Sequence, residues 1–209
     1  MTIGWNILGI LAWLVIVLYL VFIIQNIRKR HIMMIVKDRK RFKWSTTLLD
    51  ALEVIIFLGA VISMSFLTFF SHPDLQNKSL IDSKVEYESL ILSTGKKGSY
   101  YVTATSSNNT APRQSYRWYS NGTKMTVNSN YASISDGANP LSVAASAIPY
   151  SEKELKKADS HYQNAYVAVY TATYKRTWYN GLGLHAGRTA TQYYLIRVPD
   201  QTFVRQVKK

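Results

Sequence analysis

Cysteine is absent from the 209 residues, which excludes disulfides, thiolate nucleophiles and Cys-based zinc sites. A domain outside the cytoplasm would then hold together by packing alone, a habit commoner on bacterial surfaces than among small secreted eukaryotic domains. Charge is absent from Trp5 to Ile27, where only Asn6, Gln25 and Asn26 are strongly polar, and again from Val54 to Phe70. Apolar residues distributed so unevenly exclude a single soluble globule. Acids are scarce, with 12 Asp and Glu against 25 Lys and Arg and a net charge of +13. The first 70 residues carry eight of the bases and three of the acids, so both parts of the chain are basic.

The two uncharged runs predict an anchor of two helices. A span over 5–27 is long enough for a hydrocarbon core of roughly 30 Å. It lacks the basic n-region and small-residue cleavage site of a signal peptide and reads as a retained span. A second span is predicted over 47–70, behind a four-residue N-terminal stretch, 1–4, and an intervening segment, 28–46. That segment carries Arg28, Lys29, Arg30, Lys37, Arg39, Lys40, Arg41 and Lys43 against one acid, whereas the twenty residues after Phe70 offer only Lys78 and Lys84. The positive-inside rule therefore predicts a cytoplasmic loop with both termini outside, and the eight bases are expected to touch the inner leaflet at about 1 kcal/mol each. The apolar patch His31–Val36 would help the loop lie along that leaflet. Thr47 and Asp50 fit a capping box at the start of the second helix, and Asp50 with Glu53 favours the positive end of its dipole. Gly59 and Ser63 give a small-residue spacing that would seat the first span, and a dimer or another membrane subunit would use the same feature.

Beyond a stalk over 71–84, residues 85–209 contain most of the fifteen tyrosines in alternating, strand-like patterns. Strands are predicted over Val85–Ser93 and Ser99–Thr105, and over Gln114–Val127 folded as a hairpin at Asn121-Gly122. Further strands are predicted over Ala165–Tyr179, central in its sheet and carrying Trp178, and over Thr189–Val198 and Thr202–Val207. Ser151-x-x-Glu154 opens a helix over Ser151–His161. Ser106–Gln114 and Asn128–Ala138, rich in Ser, Asn and Gly, read as exposed loops. Strands, a helix and more strands give a membrane-anchored α+β protein: two N-terminal transmembrane helices, then an extracytoplasmic, largely antiparallel sheet domain with one helix.

The chemistry-bearing residues are sparse. Gly181-x-Gly183-x-x-Ala186 imitates a dinucleotide fingerprint, but a strand rather than a helix is predicted to follow it, so it reads as a hairpin loop. His31, His72, His161 and His185 have no metal-like spacing. Asp159-Ser-His161 holds triad residue types too close in sequence to adopt triad geometry unaided. Neither a metal nor a cofactor nor catalysis is expected. Basic residues among aromatics instead suit anionic polymers, sugars or lipid headgroups. The residues singled out are Tyr116, Arg117, Trp118 and Tyr119 by the hairpin, then Lys175, Arg176, Trp178, Tyr179, His185 and Arg188.

The opening WNILGILAWLVIVLYLVFIIQNIRKR, its basic continuation and STTLLDALEVIIFLGA resemble an uncharacterised family of small two-span membrane proteins from lactic-acid bacteria. The resemblance covers about a third of the chain and implies a Gram-positive cell membrane, without functional residues to carry over. The expectation is a non-enzymatic, envelope-anchored binding or accessory protein whose partners are the lipid bilayer and an anionic wall polymer or another membrane protein, with nucleic acid disfavoured. The alternative is a small subunit of a transport or wall-assembly complex. A third reading, an envelope hydrolase, would need His161 or His185 beside Asp136, Glu152 or Asp159.

Overall fold

The computed structural model describes residues 3–38, 43–71, 74–95, 98–106 and 114–208. The helices are α1 (Ile3–Asp38), α2 (Trp44–Ser65), α3 (Glu152–Tyr162) and α4 (Trp178–Leu182), and a π-helical turn (Phe66–Phe70) extends α2. The strands are β1 (Ile81–Ser89), β2 (Ser93–Gly95), β3 (Gly98–Tyr100), β4 (Val102–Ser106), β5 (Gln114–Ser120), β6 (Thr123–Asn128), β7 (Ala132–Ser135), β8 (Tyr166–Tyr174), β9 (Thr189–Arg197) and β10 (Val204–Lys208). Two units result, Met1–Pro73 with Tyr174–Arg188, and Asp74–Thr173 with Thr189–Lys209.

In the first unit, Gly4–Val36 and Trp44–Phe70 are each long and apolar enough to cross a membrane. The expected loop after Ile27 is corrected. No glycine or proline interrupts Arg28–Asp38, its residues are mostly good helix formers, and α1 runs through it. Arg28, Lys29 and Lys43 are exposed; Arg39, Lys40, Arg41 and the Lys37 side chain lie outside the described residues. Arg30 departs from the expected surface role. Its Nη1 stands 3.3 Å from Asp50 Oδ1 and its Nη2 pairs with Glu53. His31 Nε2 lies 3.3 Å from Asp50 Oδ2, and Asn26 donates to Glu53 at 2.9 Å. The two carboxylates therefore face cations of the basic segment, as its closeness in sequence leads one to expect. The expected capping box is also displaced, because α2 begins at Trp44 and Thr47 Oγ1 donates back to the Lys43 carbonyl at 3.3 Å.

Gly59 was expected to seat the first span, yet a Cβ built there meets nothing within 4 Å, and Ser63 Oγ donates to the Gly59 carbonyl at 2.8 Å. The close approaches lie elsewhere in this unit. A Cβ at Gly181 would fall 2.2 Å from the Trp5 carbonyl oxygen, one at Gly9 2.6 Å from that of Leu182, and one at Gly183 2.8 Å from that of Leu67. Asn6 spans the same contact, donating to the Ala186 carbonyl and accepting from its amide, each at 3.1 Å. The expected strand Ala165–Tyr179 therefore ends at Tyr174, and Trp178 belongs to α4, whose amide at Asn180 is capped by Thr177. Leu184 takes φ 63°, a left-handed conformation costly for a branched side chain and sustained only where surroundings enforce it.

In the second unit, one sheet has the order β1-β8-β9-β7, another β10-β4-β5-β6, and β2-β3 form a ribbon. β8 pairs antiparallel with β9, whereas β7 pairs parallel with β9 and β10 parallel with β4. The sheets are mixed, with most pairings antiparallel and two parallel ones made by β7 and β10, which reach their neighbours through crossovers that side-chain periodicity does not encode. β1 starts at Ile81, within the expected stalk, because Ile81 itself is buried. The expected loop Asn128–Ala138 contains β7, where buried Ser133 and Ser135 satisfy their hydroxyls on Ser142 Oγ and the Asn139 carbonyl. The interior of the loop expected over Ser106–Gln114, and His72, lie outside the described residues. The hairpin between β5 and β6 forms as expected. Asn121 (φ 49°) and Gly122 (φ 73°) both adopt the positive φ that a type I′ turn requires.

Alternation along β8 divides two environments. Val167 and Val169 join Ile196, Val102 and Trp118 in the core between the four-stranded sheets, each large aliphatic contributing about 1.5–3 kcal/mol. Tyr166 and Tyr170 face the other way, toward α3 and Tyr150. Tyr150 donates to the carbonyls of Ala168 and Tyr193, and Tyr166 to the Leu155 carbonyl, all at 3.1 Å. Ser151 precedes α3 as expected, but its side chain makes no capping bond.

Arg197, 3% exposed, fastens this side. Its Nε donates to Asp159 Oδ1 at 2.9 Å and its Nη2 to Asp159 Oδ2 at 3.3 Å, while Nη1 reaches Ser135 Oγ. Tyr166 adds a bond to Asp159 Oδ1 at 3.0 Å. Burial, then the Asp159 charge, push the Tyr166 phenol well above its ordinary value, so it remains a donor.

Two outcomes follow. R197M, which strands the Asp159 carboxylate, lowers the unfolding free energy of the detergent-solubilised chain by about 3–5 kcal/mol in chemical denaturation; a loss below about 1 kcal/mol would mean that the pair is solvated. G181A, whose Cβ has no room beside Trp5, accelerates hydrogen exchange at the Ala186 amide. Unchanged protection there would show that this loop is not held through Asn6.

Candidate binding face

Strands β10, β4, β5 and β6 have one face in the core, with Val102, Trp118 and Val204 turned inward and Tyr116 and Met125 packed at its edge. Strand alternation sends their neighbours to the opposite face. Register then aligns Arg205 with Thr103, Thr103 with Arg117, Arg117 with Thr126, and Tyr119 with Lys124. The outcome is a shallow depression of about 220 Å³ lined by Tyr100, Tyr101, Thr103, Arg117, Tyr119, Lys124, Arg205 and Val207.

Among the described residues, three cations and three tyrosines line this depression and no acid does. The Arg205 guanidinium lies over the Tyr100 ring, 5.3 Å from its centroid, a cation–π arrangement that orients the group while leaving N–H donors for an anion. Tyr101 packs at the margin against Phe203, its ring tilted and the centroids 5.3 Å apart. Guanidinium forks match phosphate or sulfate oxygens in pairs, and aromatic rings offer flat apolar surface to a sugar ring.

The four hairpin residues expected to act together are separated by alternation. Arg117 is exposed and Tyr119 is 38% exposed, but Trp118, 1% exposed, packs on Tyr194 at 5.5 Å between centroids. Tyr116 is half-buried beside Gln114, to which it donates at 3.1 Å. Trp118 is thus corrected from ligand contact to core residue. Sequence reasoning missed Tyr100, Tyr101, Lys124 and Arg205. The Asn-Gly turn fixes the pairing of Tyr119 with Lys124 and could have revealed Lys124, whereas Arg205 arrives on a parallel strand that no local signal announces.

Lys175, Arg176, Trp178, Tyr179, His185 and Arg188 belong to the other unit. Lys175, Arg176 and Arg188 are exposed, as are Trp178 at 62% and Tyr179 at 41%. His185 is half-buried and stacks on Tyr174, with centroids 5.0 Å apart. Burial holds its imidazole below the ordinary value, with the Leu67 carbonyl opposing and the Arg188 charge reinforcing that effect. A neutral, packed ring is a spacer in this loop rather than a cation. His161 rests on Tyr162 at 4.6 Å, while Asp159 engages Arg197 and Tyr166, so the triad residue types near the end of α3 are committed to structural partners. Among the described residues, no three of His, Cys, Asp and Glu gather as a metal-binding group.

No curated protein and no solved structure matches the chain. A protein-family model does match, described only as ":-like" and named after a Lactobacillus locus, with no activity attached. The match extends over residues 4–205 and so takes in the helices and the sheets together. The chain belongs to this uncharacterised family.

Proposed function

We propose that the protein is a non-enzymatic binding module of a Gram-positive envelope, anchored by α1 and α2 and presenting the face of Arg117, Lys124 and Arg205 to an anionic wall polymer. The observation that carries the reading is that face. Three cations are spaced across paired strands among Tyr100, Tyr101 and Tyr119, with no carboxylate among the described residues of the lining. The eight bases between Arg28 and Lys43 favour the cytoplasmic side for that segment, which leaves both termini and the sheet domain outside. The alternative expected above, a small subunit of a larger membrane complex, draws support from Gly59, where a helix of a partner would find open space.

Two measurements test this. Full-length protein in nanodiscs is expected to bind immobilised poly(glycerol phosphate) at low ionic strength and to release it near 1 M salt, where the screening length falls to about 3 Å. The variant R117A/K124A/R205A is expected to lose binding without losing its thermal transition, since all three side chains are exposed. Equal retention of variant and parent would sink the assignment to this face, and a fixed-stoichiometry protein partner in native membranes would favour the subunit reading. For topology, K153C in intact spheroplasts should react with a membrane-impermeant maleimide, and K43C only after permeabilisation. The reverse pattern would place the sheet domain in the cytoplasm.

A further inference from the structure

The segment Lys175–Arg188 carries three cations and no acid, and it is held against the ends of the long helices by contacts that turn His185 inward and leave Trp178 and Tyr179 exposed. Gly181 brings the backbone of α4 against Trp5, Gly183 brings the following turn against Leu67, and Asn6 secures Ala186 from both sides. Trp178 and Tyr179 are therefore displayed outward on a fixed platform, edge to face at 5.8 Å. Beside them Trp5 is 45% exposed, at the start of the apolar stretch of α1. At the matching end of α2, Phe66, Phe69 and Phe70 are also exposed.

Exposed Trp and Tyr on a water-soluble surface gain nothing from such display, whereas at a bilayer boundary their amphipathic rings lie at the headgroup level. Cations on the same segment then meet lipid phosphates, which take Lys and Arg as donors. We infer that Lys175–Arg188 is a membrane-contact collar, in which Trp178, Tyr179 and Trp5 sit among the headgroups at the Trp5 end of α1 while Lys175, Arg176 and Arg188 pair with phospholipid phosphates. The collar rests on the reading that α1 and α2 span the bilayer. It is separate from the sheet face, and its ligand is the lipid surface rather than a wall polymer.

The absence of native cysteine makes a direct test simple. Full-length W178C and I10C, each bearing an environment-sensitive fluorophore, are reconstituted in phosphatidylglycerol–phosphatidylcholine vesicles containing lipids with a nitroxide on the headgroup or at mid-chain. The label at position 178 is expected to be quenched most by the headgroup nitroxide, and the label at position 10, on an exposed flank of α1, by the mid-chain one. If position 178 is quenched only by aqueous iodide while position 10 still reports mid-chain depth, the collar is overturned and the anchor stands. If position 10 is open to iodide, the spanning reading fails and takes the collar with it. Adding K175Q/R176Q/R188Q to W178C should weaken the headgroup quenching, most of all in phosphatidylglycerol, whose phosphate has no choline to neutralise it; quenching unchanged by the three substitutions would overturn the phosphate pairing.

Discussion

Burying both faces of β8 obliges the second unit to supply two unlike covers. One face presents Val167 and Val169, and a second sheet contributes Val102 and Trp118 to meet them. The other presents Tyr166 and Tyr170, whose hydroxyls need partners once water is excluded. The helix beside that face provides them for Tyr166, whereas Tyr170 packs edge-on against Tyr150. The Leu155 carbonyl and the Asp159 carboxylate both accept from Tyr166, and the same carboxylate receives Arg197 from the adjacent strand. Tyr150 and Tyr166 thus fill wide interior space while keeping a polar tip satisfied.

The outward face of the second sheet follows from the same constraint. Once Trp118 and Val102 are committed to the core, alternation leaves Arg117, Tyr119 and Thr103 no other direction, and the parallel addition of β10 sets Arg205 beside them. A basic, tyrosine-lined surface is the complement of the buried pattern. Its cations are spaced by the strand separation of about 5 Å.

Glycine in the first unit serves close approach. Gly9, Gly181 and Gly183 each stand where a Cβ would meet a backbone oxygen at under 3 Å, so the run Asn180–Gly187 resembles a nucleotide-binding pattern only in letters. Its glycines admit the backbone of one segment against the ends of two helices, and Asn6, a polar residue in an otherwise apolar stretch, donates to the Ala186 carbonyl and shares the Ala186 amide with the Asn180 carbonyl.

Much of this was legible in the residues themselves. Two long uncharged runs fix two long helices because hydrophobicity over twenty residues is a local property, and Asn121-Gly122 fixes a hairpin because few other pairs accept positive φ at both positions. The alternation of β8 and β9 fixes strands for the same local reason. Only tertiary structure decided the remainder: that Arg30 turns to Asp50 and Glu53, that Ser133 and Ser135 lie in a buried strand, that β7 and β10 run parallel to their partners, and that Arg205 completes the basic face. Each of these depends on a partner distant in sequence. Local propensity and periodicity specify which way a side chain points from its own backbone, but not what comes to stand opposite it.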